Sequence, residues 1–579
     1  MNKKNKKYLI KLNQYLSYGY KLADKNLCNK YSNRFNITNE AAFQIIRRVM
    51  PVIMHLFFDK LLNIADTNKI ENRSKKIAPL NYYFSTIQEL EKALCDSKLH
   101  FSIKKYLNDN IYRSKMKESI NQKFTLNKNY IIKNNLYLID RFFLYKFFFK
   151  VEFFIYKYIP FCNRVPTLHL SLITPSFYSR GLFTYFFKNI DIDFTYSNSK
   201  KNKCDRDTFF KNILPKVFFE NFVNEFKLKI SNINKLEILF NEFCSNLFPI
   251  IFFEDFRENF KKANNIIKQS SKKVILASGN FSSENIFILA AAKNNNFKII
   301  KAQHGGYEGY IDDNPVYHEM EYITADYYLT WGWKSKSKYE NLMKKVKLIP
   351  LPSPWLSDRK KLFEKIFKNK DDGNTNFLYM PSKLIEYRSL PFGSNNLLKI
   401  DNSKSSEIFL KLIRCLEELK YDTQCKFYSP LDYMLYNKLT HFEKINYRVI
   451  KFSNSFDKGL NPDDLKQIDL VIWDLPGTGF LECIACDIPT ILFFNQDTMQ
   501  INDCSKKYFH GLKEVGIVCK NIKEFKKSMD EFNTYQNSWL KDIKRKRAIN
   551  NFKNQYALTD SNWKIKWKNK IICLSKARI

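Results

Sequence analysis

The sequence predicts an α/β protein with two Rossmann-like domains and a mainly helical N-terminal extension. Three observations carry that prediction. From about residue 131, short apolar runs alternate with helical segments. Within this stretch Val274–Gly279, Ser282–Lys293 and Phe297–Ala302 read as strand, capped helix and strand, the crossover that parallel strands require. The alternation then repeats from 346 to 545, with strands expected at Asn376–Met380, Gln424–Tyr428, Tyr447–Phe452, Leu470–Trp473 and Thr490–Phe494, and helices such as Ser405–Lys420 between them.

The elements group into four regions. Residues 1–130 mix Lys/Asn-rich runs with apolar patches such as Ala41–Phe58 and read as a helical accessory region. Residues 131–345 are expected to form an N-terminal Rossmann-like domain, 346–545 a C-terminal Rossmann-like domain, and 546–579 a basic helical tail. Val346–Asp358, with Pro350, Pro352 and Pro354, is expected to be a stiff connection between the two sheets. Such an arrangement lines a cleft with the carboxyl ends of strands, where open α/β folds bind ligands. A chain of 579 residues has room for about three or four domains.

Composition excludes several classes. With 45 % hydrophobic and 16 % aromatic residues, the chain is too apolar to be a disordered basic tail. Its 96 Lys+Arg against 58 Asp+Glu leave a net charge of +38. Lys, Asn, Ile, Phe and Tyr are all favoured by A/T-rich codons, so the charge says little about partners. No RNA-recognition or helix-turn-helix signature accompanies it, and nucleic acid is not expected as a partner. Of the 12 Cys, only Cys483 and Cys486 are closely paired, and no second pair follows at zinc-site spacing. Ordinary buried thiols in a reducing compartment are expected, with no metal. The N-terminus lacks a secretory apolar core, which predicts a cytoplasmic protein. Residues 136–159 are strongly aromatic but broken by Asp140, Arg141, Lys146, Lys150, Glu152 and Lys157. They suit a half-buried helix or a helix lying on an anionic membrane surface, not a span.

Three strand-end constellations carry the chemistry. After the strand ending at Ala302 comes Gln303-His304-Gly305-Gly306-Tyr307-Glu308-Gly309-Tyr310. Glycines allow close backbone approach, and an imidazole there can take a proton from a hydroxyl. The alternative is a Gly-rich turn holding a hydrogen-bonded His. Downstream, His318-Glu319-Met320-Glu321 lacks the spacing that puts two His on one helical face. Asp191 and Asp193 form an isolated Asp-x-Asp. The second constellation follows residues 376–380, where Lys383 and Arg388 could hold a diphosphate, Arg through paired contacts. In the third, a buried strand ends at Asp474, Gly477-Thr478-Gly479 opens a helix, and Pro489 precedes the next strand. That helix start offers N–H groups to phosphate, Thr478 a hydroxyl, and Glu482 an acceptor for ribose hydroxyls. A capped structural helix is the alternative.

With QHGGYEGY, the His/Glu cluster, AD-YYLTWGW, Leu214–Glu220 and Gly-Thr-Gly-Phe-Leu-Glu482, the chain resembles a transferase family encoded among bacterial surface-carbohydrate genes. More distantly it is similar to CDP-glycerol glycerophosphotransferases and capsule glycosyltransferases of the two-Rossmann (GT-B) type. The resemblance implies a metal-independent transferase moving a sugar, or a polyol phosphate, from a nucleotide-activated donor to a surface polysaccharide or lipid-linked acceptor. No cofactor is implied beyond that co-substrate. His304 would be the base with Glu308 as a weaker substitute, and Gln303, Gly305, Gly306, Tyr307, Lys383, Arg388, Asp474, Gly477, Thr478 and Glu482 would bind substrate. Peripheral contact with an anionic membrane at the inner face of the cell membrane fits such acceptors. The competing readings are a non-catalytic basic protein bound to nucleic acid or membrane, and a nucleotide-sugar epimerase.

Overall fold

A computed structural model describes residues 3–65, 167–170, 187–189, 203–227, 233–268, 274–278, 283–311, 323–334, 346–367, 376–384, 402–453, 456, 459–461, 465–494, 501–536 and 538–576. The aromatic segment 136–159, Asp191, Asp193, the 318–321 cluster and Arg388 lie outside them. The chain divides into two compact units, one of Ile10–Ile299 with Tyr387–Leu390, the other of Met1–Leu9, Ile300–Glu386 and Pro391–Ile579.

The first unit takes most of α1 (Lys3–Phe35), then α2 (Asn39–Ala65), β1 (Thr167–Leu170) and β2 (Phe187–Asn189). It continues through α3 (Lys203–Phe210), α4 (Lys216–Phe226), α5 (Ile233–Leu247), α6 (Phe256–Lys268), β3 (Val274–Ser278) and α7 (Ser283–Asn294). β1 pairs in parallel with both β2 and β3. The N-terminal helices are part of this core. α2 lies along α7, and the Thr38 backbone N–H donates to Asn294 Oδ1 at 2.8 Å. Along α2, Ala42, Ile45, Ile46, Val49 and Ile53 recur at helical spacing and are fully buried.

β4 (Lys298–Ala302) straddles the division. From Ile300 onward it pairs in parallel with β5 (Tyr327–Thr330), and β5 with β6 (Lys347–Pro350). The expected stiff connection over 346–358 is therefore corrected: its first part is β6, and Pro354 starts α8 (Pro354–Phe367). Prolines fit both places, since an edge strand tolerates a missing donor and the first helical turn needs none.

The remaining strands, β7 (Phe377–Met380), β8 (Thr423–Cys425), β9 (Ile450–Phe452), β10 (Leu470–Trp473), β11 (Thr490–Phe493) and β12 (Val518–Cys519), form one parallel sheet in the order β12-β11-β10-β7-β8-β9. The strands β7 to β9 run to one side and β10 to β12 to the other. The chain reverses between β7 and β10, where a Rossmann sheet opens its binding crevice. β10 is an unbroken apolar run because a central parallel strand is covered on both faces. The sheet is flanked by α9 (Asn402–Glu418), α10 (Pro430–Thr440), α11 (Thr478–Ala485), α12 (Asp503–Glu514) and α13 (Ile522–Tyr535). In α9, Phe409, Leu412, Ile413 and Leu416 make the buried face.

α14 (Ile543–Tyr556) and α15 (Trp563–Lys576) close this unit. Their outer faces carry lysines, while Trp563 and Trp567 are buried and donate to Asp358 Oδ1 (2.9 Å) and the Pro352 carbonyl (2.8 Å). Among the described residues no helix is long and apolar enough to cross a membrane.

Candidate functional site

The Gly-rich loop begins where β4 ends, and its footing is Gln303. This side chain is fully buried; its Oε1 accepts from the Trp331 backbone N–H and from Trp333 Nε1, both at 2.8 Å, and its Nε2 donates to the Gly305 carbonyl at 2.8 Å. Gln303 thus fastens the loop to the end of β5. Next to it, His304 keeps 22 % of its side chain exposed, with Nδ1 buried 3.4 Å from Glu308 Oε1. Glu308 is fully buried, and Tyr328 on β5 donates its hydroxyl to the other oxygen, Oε2.

The loop's backbone is unusual. Tyr307 has φ 77° and Gly309 φ 87°. A non-glycine residue held there stores about 1–3 kcal/mol of strain, common where a loop must aim a functional group. Fixation comes from Tyr310, whose buried hydroxyl accepts from the Tyr307 N–H (2.8 Å) and donates to the Pro476 carbonyl (2.5 Å). Asn502, the N-cap of α12, adds a bond from Nδ2 to the Gly309 carbonyl at 2.8 Å.

These contacts bring the first and third constellations together. The Gly306 N–H donates to Thr478 Oγ1 at 2.8 Å, and a Cβ on Gly306 would lie 2.6 Å from both Gly477 C and Thr478 N. Only glycine lets the two backbones meet. Gly477 is the N-cap of α11, and the Tyr307 hydroxyl stands 2.8 Å from where its own Cβ would be. The helix start read from sequence as open to phosphate is faced by the Gly-rich loop itself.

Asp474 and Lys383 flank the switch crevice, since β10 and β7 run in register to Trp473 and Met380. Asp474 is buried and accepts from the Tyr379 hydroxyl at 2.9 Å. Burial pushes its carboxyl up to about 7, against the lowering effect of hydrogen bonds from Tyr379 and Ser382. Lys383 is exposed in the loop after β7, with its ammonium 5.4 Å from the centre of the Tyr428 ring. That loop is held by Tyr436, which donates to the Ser382 carbonyl (2.8 Å), and by the Leu384 N–H on Asp432 Oδ1 (2.9 Å).

Glu482 faces inward. It accepts from Trp355 Nε1 at 2.7 Å and from Arg359 Nε at 3.0 Å. Burial raises its carboxyl above the usual range, opposed by the Arg359 charge and both hydrogen bonds. Arg359 also donates to the Leu460 carbonyl and stacks 4.3 Å from the centre of the Phe363 ring. Sequence reasoning missed Arg359, Trp355, Tyr328 and Tyr310. The available signals were an Arg on the helix just past the proline segment and the aromatic density of the 327–333 run.

The parallel sheets and the switch crevice define an α/β core of the Rossmann type, with an imidazole and a buried carboxylate on a loop beside the start of α11. Residues 84–571 match the LIC12162 family transferase, and the chain belongs to that family. A search of curated proteins found no match. Among solved structures the chain is similar to a Methanocaldococcus jannaschii UDP-GlcNAc 2-epimerase in complex with UDP-GlcNAc and UDP, at 11 % identity and TM-score 0.37, covering 70 % of this chain and 99 % of that one. It is similar also to a glycosyltransferase from Rickettsia africae ESF-5, at 12 % identity and TM-score 0.36 over 72 % and 100 % of the two chains. A third is Anabaena Alr3699/HepE in complex with UDP and glucose, at 10 % identity and TM-score 0.34 over 70 % and 99 %.

Proposed function

We propose that this transferase moves a sugar, or a polyol phosphate, from a nucleotide-activated donor to a hydroxyl of a surface polysaccharide or lipid-linked acceptor, without a metal or further cofactor. One observation carries the reading: His304 presents a partly exposed imidazole at a strand end while Glu308 lies buried against its other face. In this reading the acceptor hydroxyl gives its proton to His304 as its oxygen attacks the transferred centre. The bond to the donor's phosphate breaks, and the electron pair leaves with that phosphate. Lys383 and Arg388 are the proposed donor-phosphate contacts, since the Gly-rich loop covers the Gly477–Thr478 helix start, and preorganised charge of this kind is commonly the largest catalytic contribution. Asp474 would support the crevice from beneath. The regions 131–345 and 346–545 are the proposed acceptor-side and donor domains. The proposed setting is the inner face of the cell membrane, where the lysine-rich outer sides of α14 and α15 suit anionic lipid.

The test is nucleotide release from a panel of nucleotide sugars, with and without a lipid-linked acceptor. Release that requires the acceptor supports transfer. Isomer formation without any acceptor would replace the reading by epimerisation, and total inertness would favour a binding protein.

A further inference from the structure

Glu308 has two oxygens and two different neighbours. Oε2 takes the Tyr328 hydroxyl from β5, and Oε1 faces His304 Nδ1 at 3.4 Å, within ion-pair reach of the ring. Both supporting side chains are fully buried, and His304 Nδ1 is buried with them, whereas 22 % of the imidazole side chain reaches solvent. A carboxylate so enclosed cannot meet a polysaccharide hydroxyl. We infer that Glu308 and Tyr328 are positioning residues that hold the Nδ1–H tautomer of His304 and leave Nε2 as the atom that accepts the acceptor's proton.

The inference rests on the proposed base role of His304 and replaces Glu308 as a substitute base. The physical logic runs through the ring. A neutral imidazole has one N–H and one lone pair, and the group bonded at one nitrogen selects which is which. Carboxylate oxygen at Nδ1 selects N–H there. When Nε2 takes the proton from the attacking hydroxyl, the new imidazolium lies beside Glu308, whose charge stabilises it without itself accepting the proton. Tyr328 matters because a carboxylate held at one end only can rotate away from the ring. Its β5 position, one strand over from the loop, makes the distance between Glu308 and the sheet a fixed quantity.

The full chain labelled with 15N-histidine tests this directly. Long-range 1H–15N spectra report the tautomer of each imidazole, and loss of one signal in His304→Gln assigns it. The wild type should show His304 protonated at Nδ1, and Glu308→Gln and Tyr328→Phe should each move it toward a tautomer mixture. Both variants should lower kcat, Tyr328→Phe by about tenfold, with donor KM little changed. An Nε2–H tautomer in the wild type, or a tautomer indifferent to both substitutions, overturns the inference. If Glu308→Gln does not fold, Tyr328→Phe decides alone. Should the tautomer respond as stated while His304→Ala retains turnover, the base role fails and the positioning geometry stands.

Discussion

The Gly306 backbone and the Thr478 hydroxyl, 172 residues apart, are joined by one 2.8 Å hydrogen bond. The imidazole-bearing loop consequently packs directly on the start of α11, where neither Gly306 nor Gly477 carries a Cβ.

Gly306→Ala is expected to unfold or displace this contact. The new methyl would meet backbone atoms at 2.6 Å, which cannot yield as a side-chain tip can. Overpacking of this kind costs about 1–3 kcal/mol, and thermal denaturation should show it together with loss of turnover. Gly511→Ala in α12 is the control: nothing lies within 4 Å of its Cβ, and helix propensity makes the change neutral or slightly stabilising.

His304→Ala should reduce kcat by about 10²–10⁴, the usual contribution of a positioned base, while donor affinity measured by calorimetry stays near wild type. Turnover within a few-fold of wild type would remove the base assignment.

Arg359→Met tests the strut between α8 and α11. The Arg359 and Glu482 side chains are only 12 % and 5 % exposed, so removing the guanidinium strands a buried carboxylate. A loss of about 3–5 kcal/mol is expected. Glu482→Gln keeps an acceptor for Trp355 and should cost less. Denaturant titration of the two variants compares them directly; equal losses would contradict the pairing.

Asp474 gives stability a defined pH dependence. Its native carboxyl titrates near 7 and its unfolded one near 3.8. Between these values the native state binds the extra proton, so this group's contribution falls as pH rises from about 4 to 7 and is constant outside that window. Asp24 on α1, raised to about 6 mainly by burial and with Arg47 opposing, acts in the same direction. Asp474→Asn, which keeps an oxygen for Tyr379, should flatten the melting temperature across this range and gain most at pH 8. A profile identical to wild type would show that Asp474 ionises normally.

Much of the fold was legible because its signals are local. Leu470–Trp473 was placed to the residue, since a four-residue apolar run ending in Asp and followed by Gly-Thr-Gly has few other uses. Tyr447–Phe452 was drawn too long, because only Ile450–Phe452 pairs with β8. β6 reads as a linker because Pro350 and the prolines just after it, judged without knowing that β6 is an edge strand, argue against pairing. The site divides similarly. His304 stands out by its place in the glycine run, but the burial of Glu308 against Tyr328 depends on a residue arriving from another strand. That Glu482 turns inward to Arg359 follows from the packing of α8, which no spacing within 470–494 reveals.

The two tryptophans of α15 have a consequence for biosynthesis. The Pro352 carbonyl and the Asp358 carboxylate receive indole donors located 215 and 205 residues further along the chain. β6 and α8 therefore leave the ribosome long before the side chains that cover them exist. Folding of the unit that holds β6 and α8 is obliged to be late and to wait on distant sequence.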